Sequence, residues 1–283
     1  MVLESLTNAW NAESHPRVML LHGFLYATLG VFFSNWIFED HPSLVLVFLT
    51  TMAAIPIVYN IIKVEEKKDL TNIDEKNLLK EHSKALKVFM NYFIGVTIAI
   101  AFWYVVLPTS MTSNLFEVQT QTITRIRSNV TGQVYSLSNI FFDILSNNIN
   151  VLIFCVVFSF IFGIGAIFIL TWNASVIGVA IGDTIKSGFY QIGNEINLVN
   201  SPQYVSVVSY GLLRYSIHGF IEILAYFVAG LAGGIISSAV IRHDFGTKKY
   251  EKIILDSAVL LLISVVMIVV SAFLEVYVTP MFF

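Results

Sequence analysis

The chain has 283 residues, of which 56% are hydrophobic and only 12% are charged. Soluble domains are about 45–50% apolar and about 25% charged, so this composition favours a polytopic α-helical membrane protein. Cys155 is the one cysteine, which excludes a disulfide-rich secreted module. A net charge of −3 without a block of basic residues argues against nucleic-acid binding. The polar stretches are too short to bury a core of their own, so we expect neither a soluble catalytic domain nor a cofactor.

Charge-free windows predict the membrane spans. A span needs about 20 residues across an apolar slab of about 30 Å. The windows are residues 18–38, 43–62, 88–107, 144–182, 215–241 (interrupted by Glu222) and 257–274. The window 144–182 is about twice the length of a span, so it must fold back or break, and Gly163, Gly165 or the pair Trp172-Asn173 are the places for it. We expect a full span at 149–171 and a short or re-entrant pass at 174–187, which makes an all-α bundle of six or seven passes.

The distribution of lysine and arginine predicts the orientation. Segment 63–87 carries seven lysines and segment 242–252 carries four basic residues, whereas 108–148 carries only Arg125 and Arg127. Basic loops stay in the cytoplasm, which places the N-terminus inside and the C-terminus outside a multi-pass plasma-membrane protein. Three regions follow: a membrane region at 1–107, an extracytoplasmic polar loop at 108–148, and a membrane core at 149–283.

Two polar segments outside the spans contain local signals. In the lysine-rich loop 63–87, Thr71-Asn72 precede acidic residues in the manner of a capping box, and an apolar stripe follows at helical spacing. The stripe consists of Leu79, His82, Leu86 and Phe89. The loop is thus predicted to be an amphipathic helix that either continues into the third span or docks a partner. The outer loop contains Asn129-Val130-Thr131, a glycosylation sequon if the host glycosylates.

The most informative residues are ionisable groups inside the window 215–241. Arg214, His218 and Glu222 follow each other at intervals of four, so they share one helix face. A glutamate inside a span is costly unless it is paired, and His218 is the nearest partner for Glu222 on the same helix. Small residues at helix-packing spacing continue this segment and recur in the preceding one. They are Ala225, Ala229, Gly230, Gly233 and Gly234, with Gly178 and Gly182 in the earlier segment.

Three interpretations of this helix remain open on the sequence alone. The first is a structural polar pair that pins helix packing. The second is an ion or substrate pathway lined by Arg214, His218 and Glu222. The third is a membrane-embedded metal or hydrolytic centre, which would need further ligands without standard spacing. The candidate ligands are His22, Asp183 and Glu195. Cys155 lies in an apolar run and is expected to be an inert packing residue. Separately, Gly178 and Gly182 are expected to sit against another helix, the one that carries Gly230 and Gly234.

The pattern His218-Gly219-x-x-Glu222, followed by Ala225, Ala229-Gly230 and Gly233-Gly234, resembles the stage II sporulation protein M family. The resemblance covers about residues 145–276. Earlier residues match the first part of the family pattern: Phe160, Gly163, Gly165, Asn173, Gly178 and Gly182. The first half, with its lysine-rich loop and outer loop, does not match the family pattern, and the chain resembles the longer, non-sporulation prokaryotic members.

The resemblance implies a function of a particular class. The sporulation member of the family is a membrane scaffold that holds peptidoglycan-degrading partners. By analogy, we expect an integral membrane scaffold or assembly subunit, with lipid and other membrane proteins or a second copy as partners. The contrasting alternatives are an ion channel or transporter and, third, a membrane-embedded metal-dependent hydrolase.

Overall fold

A computed structural model describes residues 9–69, 75–131, 137–163, 165–195, 201–241 and 246–282. These residues are almost entirely helical. The helices are α1 (Ala9–Ser14), α2 (Val18–Ile37), α3 (Pro42–Asp69), α4 (Glu75–Val106), α5 (Thr109–Leu115), α6 (Glu117–Thr131), α7 (Leu137–Phe162), α8 (Ala166–Glu195), α9 (Ser201–Ile241) and α10 (Lys248–Phe273). A π-helical turn (Leu274–Val278) and a 3-10 turn (Thr279–Met281) follow α10.

Seven of the helices in the described residues are long and apolar enough to cross a membrane. They are α2, α3, α4, α7, α8, α9 and α10, the last together with the turns that follow it. The prediction of an all-α polytopic bundle is therefore confirmed. The lipid-facing surface is apolar along the outer helices, where large side chains such as Phe154, Leu262 and Val266 are more than half exposed.

The long window 144–182 breaks as predicted, but the spans on either side of the break differ from the expected ones. Helix α7 ends at Phe162 and α8 begins at Ala166, so the break lies at Gly163–Gly165. Gly163 has φ +70°, a conformation that side chains with a Cβ rarely adopt. Trp172 and Asn173 lie inside α8. The predicted bounds 149–171 and 174–187 are therefore wrong: residues 166–192 form one full-length span, and no short pass is needed.

The lysine-rich segment extends two membrane helices and does not form a separate helix. Helix α3 continues to Asp69, and α4 runs without interruption from Glu75 to Val106. The stripe of Leu79, His82, Leu86 and Phe89 lies on α4 and packs inward, with His82 and Phe89 buried. The predicted capping residues Thr71 and Asn72 lie outside the described residues. We call this end of the bundle, where α3 ends and α4 begins, the lysine end.

The polar stretch after α4 is largely helical and packs onto the bundle. Pro108 precedes α5 and, because its ring restricts the preceding residue, helps to end α4. Gln119 of α6 is fully buried, and its Nε2 donates to the carbonyl of Ser43 and to Ser175 Oγ, each at 3.3 Å. These bonds attach α6 to α3 and α8 at the end opposite the lysine end.

Helix α9 is the central element of the bundle. Its membrane-spanning part, Ile217–Ile241, is the most buried of the seven spans. It packs against α10, α7 and α8, while α4 packs against α2 and α8. His218 and Glu222, which the sequence singled out, therefore lie on the most buried of the seven spans.

Candidate functional site

Residues of the predicted polar face of α9 lie against the C-terminal segment of the chain. His218 is near the start of the span Ile217–Ile241, and Glu275 is near the end of the antiparallel span Tyr250–Met281. Because α9 and α10 run in opposite directions and pack together, these two positions meet at the end opposite the lysine end. We call the group of His218, Glu222, Tyr226, Ser271, Glu275 and Thr279 the His218–Glu222 cluster.

Glu222 has a partner on its own helix that differs from the predicted one. The hydroxyl of Tyr226 donates to Glu222 Oε1 over 2.9 Å. Tyr226 follows Glu222 by four residues, so the two side chains share a face of α9. Tyr226 is fully buried, and its donor satisfies a carboxylate oxygen deep in the bundle. Among the hydrogen bonds of the described residues, Glu222 is thus joined to Tyr226 and not to His218.

His218 joins α9 to the segment after α10. Its Nδ1 lies 3.2 Å from Thr279 Oγ1. The Thr279 hydroxyl donates to the Leu274 carbonyl at 3.1 Å, so it accepts from His218, which places the imidazole proton on Nδ1. Ser271 Oγ donates to the His218 carbonyl at 3.0 Å. Three side chains therefore connect the start of the sixth span to the end of the seventh.

The remaining ring nitrogen of His218 faces a second carboxylate. His218 Nε2 lies 4.0 Å from Glu275 Oε1, and Glu222 and Glu275 are close enough to interact electrostatically. Glu275 belongs to the π-helical turn, which changes the direction in which side chains leave the helix and occurs often at functional sites. With the proton on Nδ1, Nε2 is an acceptor, and so is the Glu275 carboxylate. A hydrogen bond between His218 and Glu275 therefore requires one additional proton.

Four members of the His218–Glu222 cluster were not predicted from the sequence: Tyr226, Ser271, Glu275 and Thr279. Tyr226 could have been found, because it follows Glu222 at the spacing that joins side chains on a helix. Glu275 also left a signal: it is the charge that ends the window 257–274. Its contact with His218 depends on how α9 and α10 pack, which no local pattern specifies.

The small residues of α9 are in tight contact with neighbouring helices. A Cβ at Gly230 would come within 2.7 Å of Ala166 Cβ, and one at Gly233 within 2.7 Å of the Val156 carbonyl oxygen. At Gly234 it would meet the Gly163 carbonyl oxygen at 2.8 Å. Ala225 and Ala229 are fully buried. This face therefore packs inside the chain, against α7, α8 and the break between them.

Gly178 and Gly182 also lie at a helix contact, but with a different partner from the one expected. A Cβ at Gly178 would come within 2.8 Å of Ile100 Cβ, and one at Gly182 within 2.8 Å of Tyr104 Cβ. Both neighbours are on α4. The expectation that the two glycine pairs face each other is therefore wrong, because α8 presents this face to α4. Gly219 is different again: a Cβ there would meet nothing within 4 Å.

The remaining predicted polar residues lie on several different helices. Asn173 Nδ2 donates to the Ile169 carbonyl, one turn earlier, at 2.9 Å. His22 Nδ1 lies 2.9 Å from the Val18 carbonyl oxygen and its ring packs edge-on to Tyr26. Asp183 Oδ1 accepts from the Tyr104 hydroxyl at 3.4 Å. Glu195, Arg214 and Asn129 lie on α8, α9 and α6, and their side chains are outside the described part.

In the part of the chain that the structure describes, no three His, Cys, Asp or Glu side chains are grouped so as to hold a metal ion. Cys155 is buried within α7.

Comparison with known proteins extends the resemblance noted from the motif. The family model of stage II sporulation protein M matches residues 43–280, so it reaches much further toward the N-terminus than the motif region. An uncharacterized protein of Methanocaldococcus jannaschii is 32% identical over 141 residues, which cover 49% of this chain and 70% of that protein. No solved structure matches the chain. With a family model that spans most of its length, the chain belongs to the stage II sporulation protein M family.

Proposed function

We propose that this chain is an integral membrane scaffold, in which the His218–Glu222 cluster fastens the C-terminal segment to the central helix. The observation that carries the proposal is that the cluster residues engage one another. Tyr226 donates to Glu222, and His218 contacts Thr279 across α9 and the segment after α10. A polar group that is bonded in this way restricts helix movement, and interhelical hydrogen bonds in membranes contribute about 0.6 to 2 kcal/mol each.

The glycine contacts support the same role. The close approach of α9 to α7 and α8 leaves no room for a Cβ at Gly230 or Gly233. A bundle that is locked internally in this way offers fixed outer faces. The outer faces of α7 and α10 carry large exposed apolar side chains, on which lipid, another membrane protein or a second copy can pack. We place the protein in the plasma membrane, with the lysine end in the cytoplasm.

Photo-crosslinking in native membranes tests the scaffold proposal. A photoreactive residue is introduced at Phe154 of α7 or Val266 of α10, both more than half exposed, and at the buried Ile268 as the control. A scaffold predicts protein adducts of discrete mass from the exposed positions and none from the control. If Phe154 and Val266 both capture lipid alone, the scaffold proposal is wrong.

A second candidate function, a proton or cation transporter, is favoured by one observation. His218 Nε2 and Glu275 Oε1 are 4.0 Å apart, and with Nδ1 as the donor to Thr279 both atoms are acceptors. A proton arriving between them would be held by two groups, which is an arrangement used in proton relays. This candidate predicts a proton or cation flux in proteoliposomes that is lost in Glu275→Gln. A parent protein without any flux above empty liposomes contradicts it.

A further inference from the structure

A second buried polar cluster lies at the lysine end, where α1 meets α3 and α4. It consists of Glu13, Glu65, Lys68 and His82, which we call the Lys68 cluster. Glu65 is fully buried and His82 is 1% exposed. The side chains of Glu13 and Lys68 are only 6% and 12% exposed. The cluster joins three helices, and neither the motif on α9 nor the proposed scaffold role accounts for it.

The cluster is built around one lysine. Lys68 Nζ lies 3.0 Å from Glu13 Oε2 and 2.5 Å from Glu65 Oε1. His82 Nδ1 lies 2.6 Å from Glu65 Oε2. Glu81, at the exposed rim, is 3.8 Å from Lys68 and pairs with Lys84. Lys68 is therefore the shared partner of two buried carboxylates, and Glu13 reaches it from the short N-terminal helix.

The charges of this cluster leave one carboxylate oxygen unsatisfied. With His82 neutral, two carboxylates face one ammonium group, and Glu13 Oε1 is buried without a hydrogen-bond partner among the described residues. A buried acceptor without a donor costs about 1–3 kcal/mol, and more when it is charged. A proton on Glu13 removes the excess negative charge. It also supplies a donor that the neighbouring carboxyl of Glu65 can share.

We propose that docking of α1 onto the bundle takes up one proton, held by Glu13 and shared with Glu65. Helix α1 then docks more tightly onto α3 and α4 when the pH at the lysine end falls. The ligand of this site is the proton itself. The structure contains the docked state of α1: Ala12 is fully buried, and α1 packs against both α3 and α4.

The titration of Glu13 has the direction that this coupling requires. Burial raises the pKa of the Glu13 carboxyl above its ordinary value of 4.5, the bond from Lys68 opposes this, and the charge of Glu65 adds to it. Docked Glu13 therefore binds a proton more tightly than undocked Glu13. Docking strengthens as the pH falls through the raised pKa of docked Glu13, and becomes independent of pH below about 4.5, where both states are protonated.

The other groups that face Glu13 do not reverse this direction. From α3, Glu65 and Lys68 face it, and from α4, His82 and Glu81 lie on the same cluster. Burial lowers the pKa of Lys68, but its bonds to Glu65 and Glu13 outweigh this and raise it above the ordinary value of 10.5. Lys68 thus stays charged throughout the acidic range. If His82 were the titrating group instead, changing Glu13 would leave the pH dependence in place.

Distance measurements between two spin labels on the full chain in nanodiscs test the proposal. The labels are placed at Ser14 of α1 and at the exposed Lys87 of α4, in a Cys155→Ser background. In the parent, we expect the population at the short, docked distance to grow as the pH is lowered from about 8 to about 4.5, the ordinary pKa of the Glu13 carboxyl. The ratio of docked to undocked molecules should change by up to about tenfold per pH unit, the limit for one proton.

Two variants separate this proposal from a merely structural ion pair. Glu13→Gln carries an amide in place of the protonated carboxyl, so it should stay docked at every pH. Glu81→Gln, at the exposed rim of the same lysine, should follow the parent. A parent whose distances do not change between the two pH values would overturn the proposal, and so would a Glu13→Gln variant that still shifts with pH.

Discussion

The two polar clusters of this protein satisfy buried charge in different ways. In the Lys68 cluster, opposite charges from three separate elements meet directly, and Lys68 bridges Glu13 and Glu65. In the His218–Glu222 cluster there is no described cation at hydrogen-bond distance from Glu222, and neutral donors such as the Tyr226 hydroxyl take its place. The comparison shows that burial of a glutamate in this fold does not require an ion pair. It requires donors, which a tyrosine one helical turn away can supply.

The largest expected effect concerns the sides of the membrane on which the two clusters lie. Single cysteines at Asp69 and Lys248 should be shielded from impermeant thiol reagents in whole cells, whereas a cysteine at Gln121 should be labelled. The physical reason is the excess of lysine at the lysine end. The Cys155→Ser background should be silent. Labelling at the first two positions but not at Gln121 would mean that the orientation is inverted.

Removal of Lys68, the cation that the Lys68 cluster shares, should lower the stability of the protein. Lys68→Met removes the cation that Glu13 and Glu65 share in a buried site, so we expect a loss of about 3–5 kcal/mol in the free energy of unfolding. Lys67→Met, at an exposed neighbouring position, is the matched control and should change stability little. Denaturant unfolding in detergent measures both variants. Equal stability of the two would contradict the role given to the Lys68 cluster.

The two clusters differ in how far they could be predicted from the sequence. Composition and charge-free windows predicted the membrane bundle, and the break near Gly163 was among the expected positions, because a window of 39 residues exceeds one span. His218 and Glu222 were found because charges are rare inside spans. The Lys68 cluster was not predicted. Glu13 and Lys68 are 55 residues apart in the sequence, and Glu65 and His82 are 17 residues apart. Each of them has the pattern of an ordinary charge in a solvated loop.

The wrong expectations share a physical cause. Small-residue faces indicate that a helix contacts another helix closely, but not which one. Gly178 and Gly182 lie against α4, whereas Gly230 and Gly233 lie against α7 and α8. In the same way, the spacing of His218 and Glu222 placed them on one face, while the bonds each of them makes depend on Tyr226 and on Thr279 of the last segment.

The packing beneath the His218–Glu222 cluster should be sensitive at some glycines and tolerant at others. Gly230→Ala forces a Cβ to 2.7 Å from Ala166 Cβ, so we expect a loss of about 1–3 kcal/mol from overpacking. Gly219→Ala, on the same helix, meets nothing within 4 Å and should be neutral or stabilising by up to about 1 kcal/mol. Melting in detergent compares them. A Gly230→Ala variant as stable as Gly219→Ala would show that this contact is loose.

The smallest effect is expected from removal of the Tyr226 hydroxyl, the neutral donor that takes the place of a cation beside Glu222. Tyr226→Phe keeps the buried ring but removes the donor to Glu222, so stability should fall by about 1 kcal/mol. Tyr190→Phe, at a side chain that is 59% exposed, is the control and should have no effect. Thermal melting of both variants in detergent is the measurement. An unchanged melting temperature for Tyr226→Phe would mean that Glu222 does not depend on this bond.

The most direct test of the fastening role is to separate the charge of Glu222 from its hydrogen bonds. Glu222→Gln keeps the size and an acceptor for Tyr226, whereas Glu222→Ala removes both. The measurement is the melting temperature in detergent, together with ion flux in liposomes, for both variants and the parent. The scaffold account predicts that Gln is tolerated, that Ala destabilises the protein, and that no flux depends on Glu222. A folded Gln variant that has lost a flux present in the parent would contradict it.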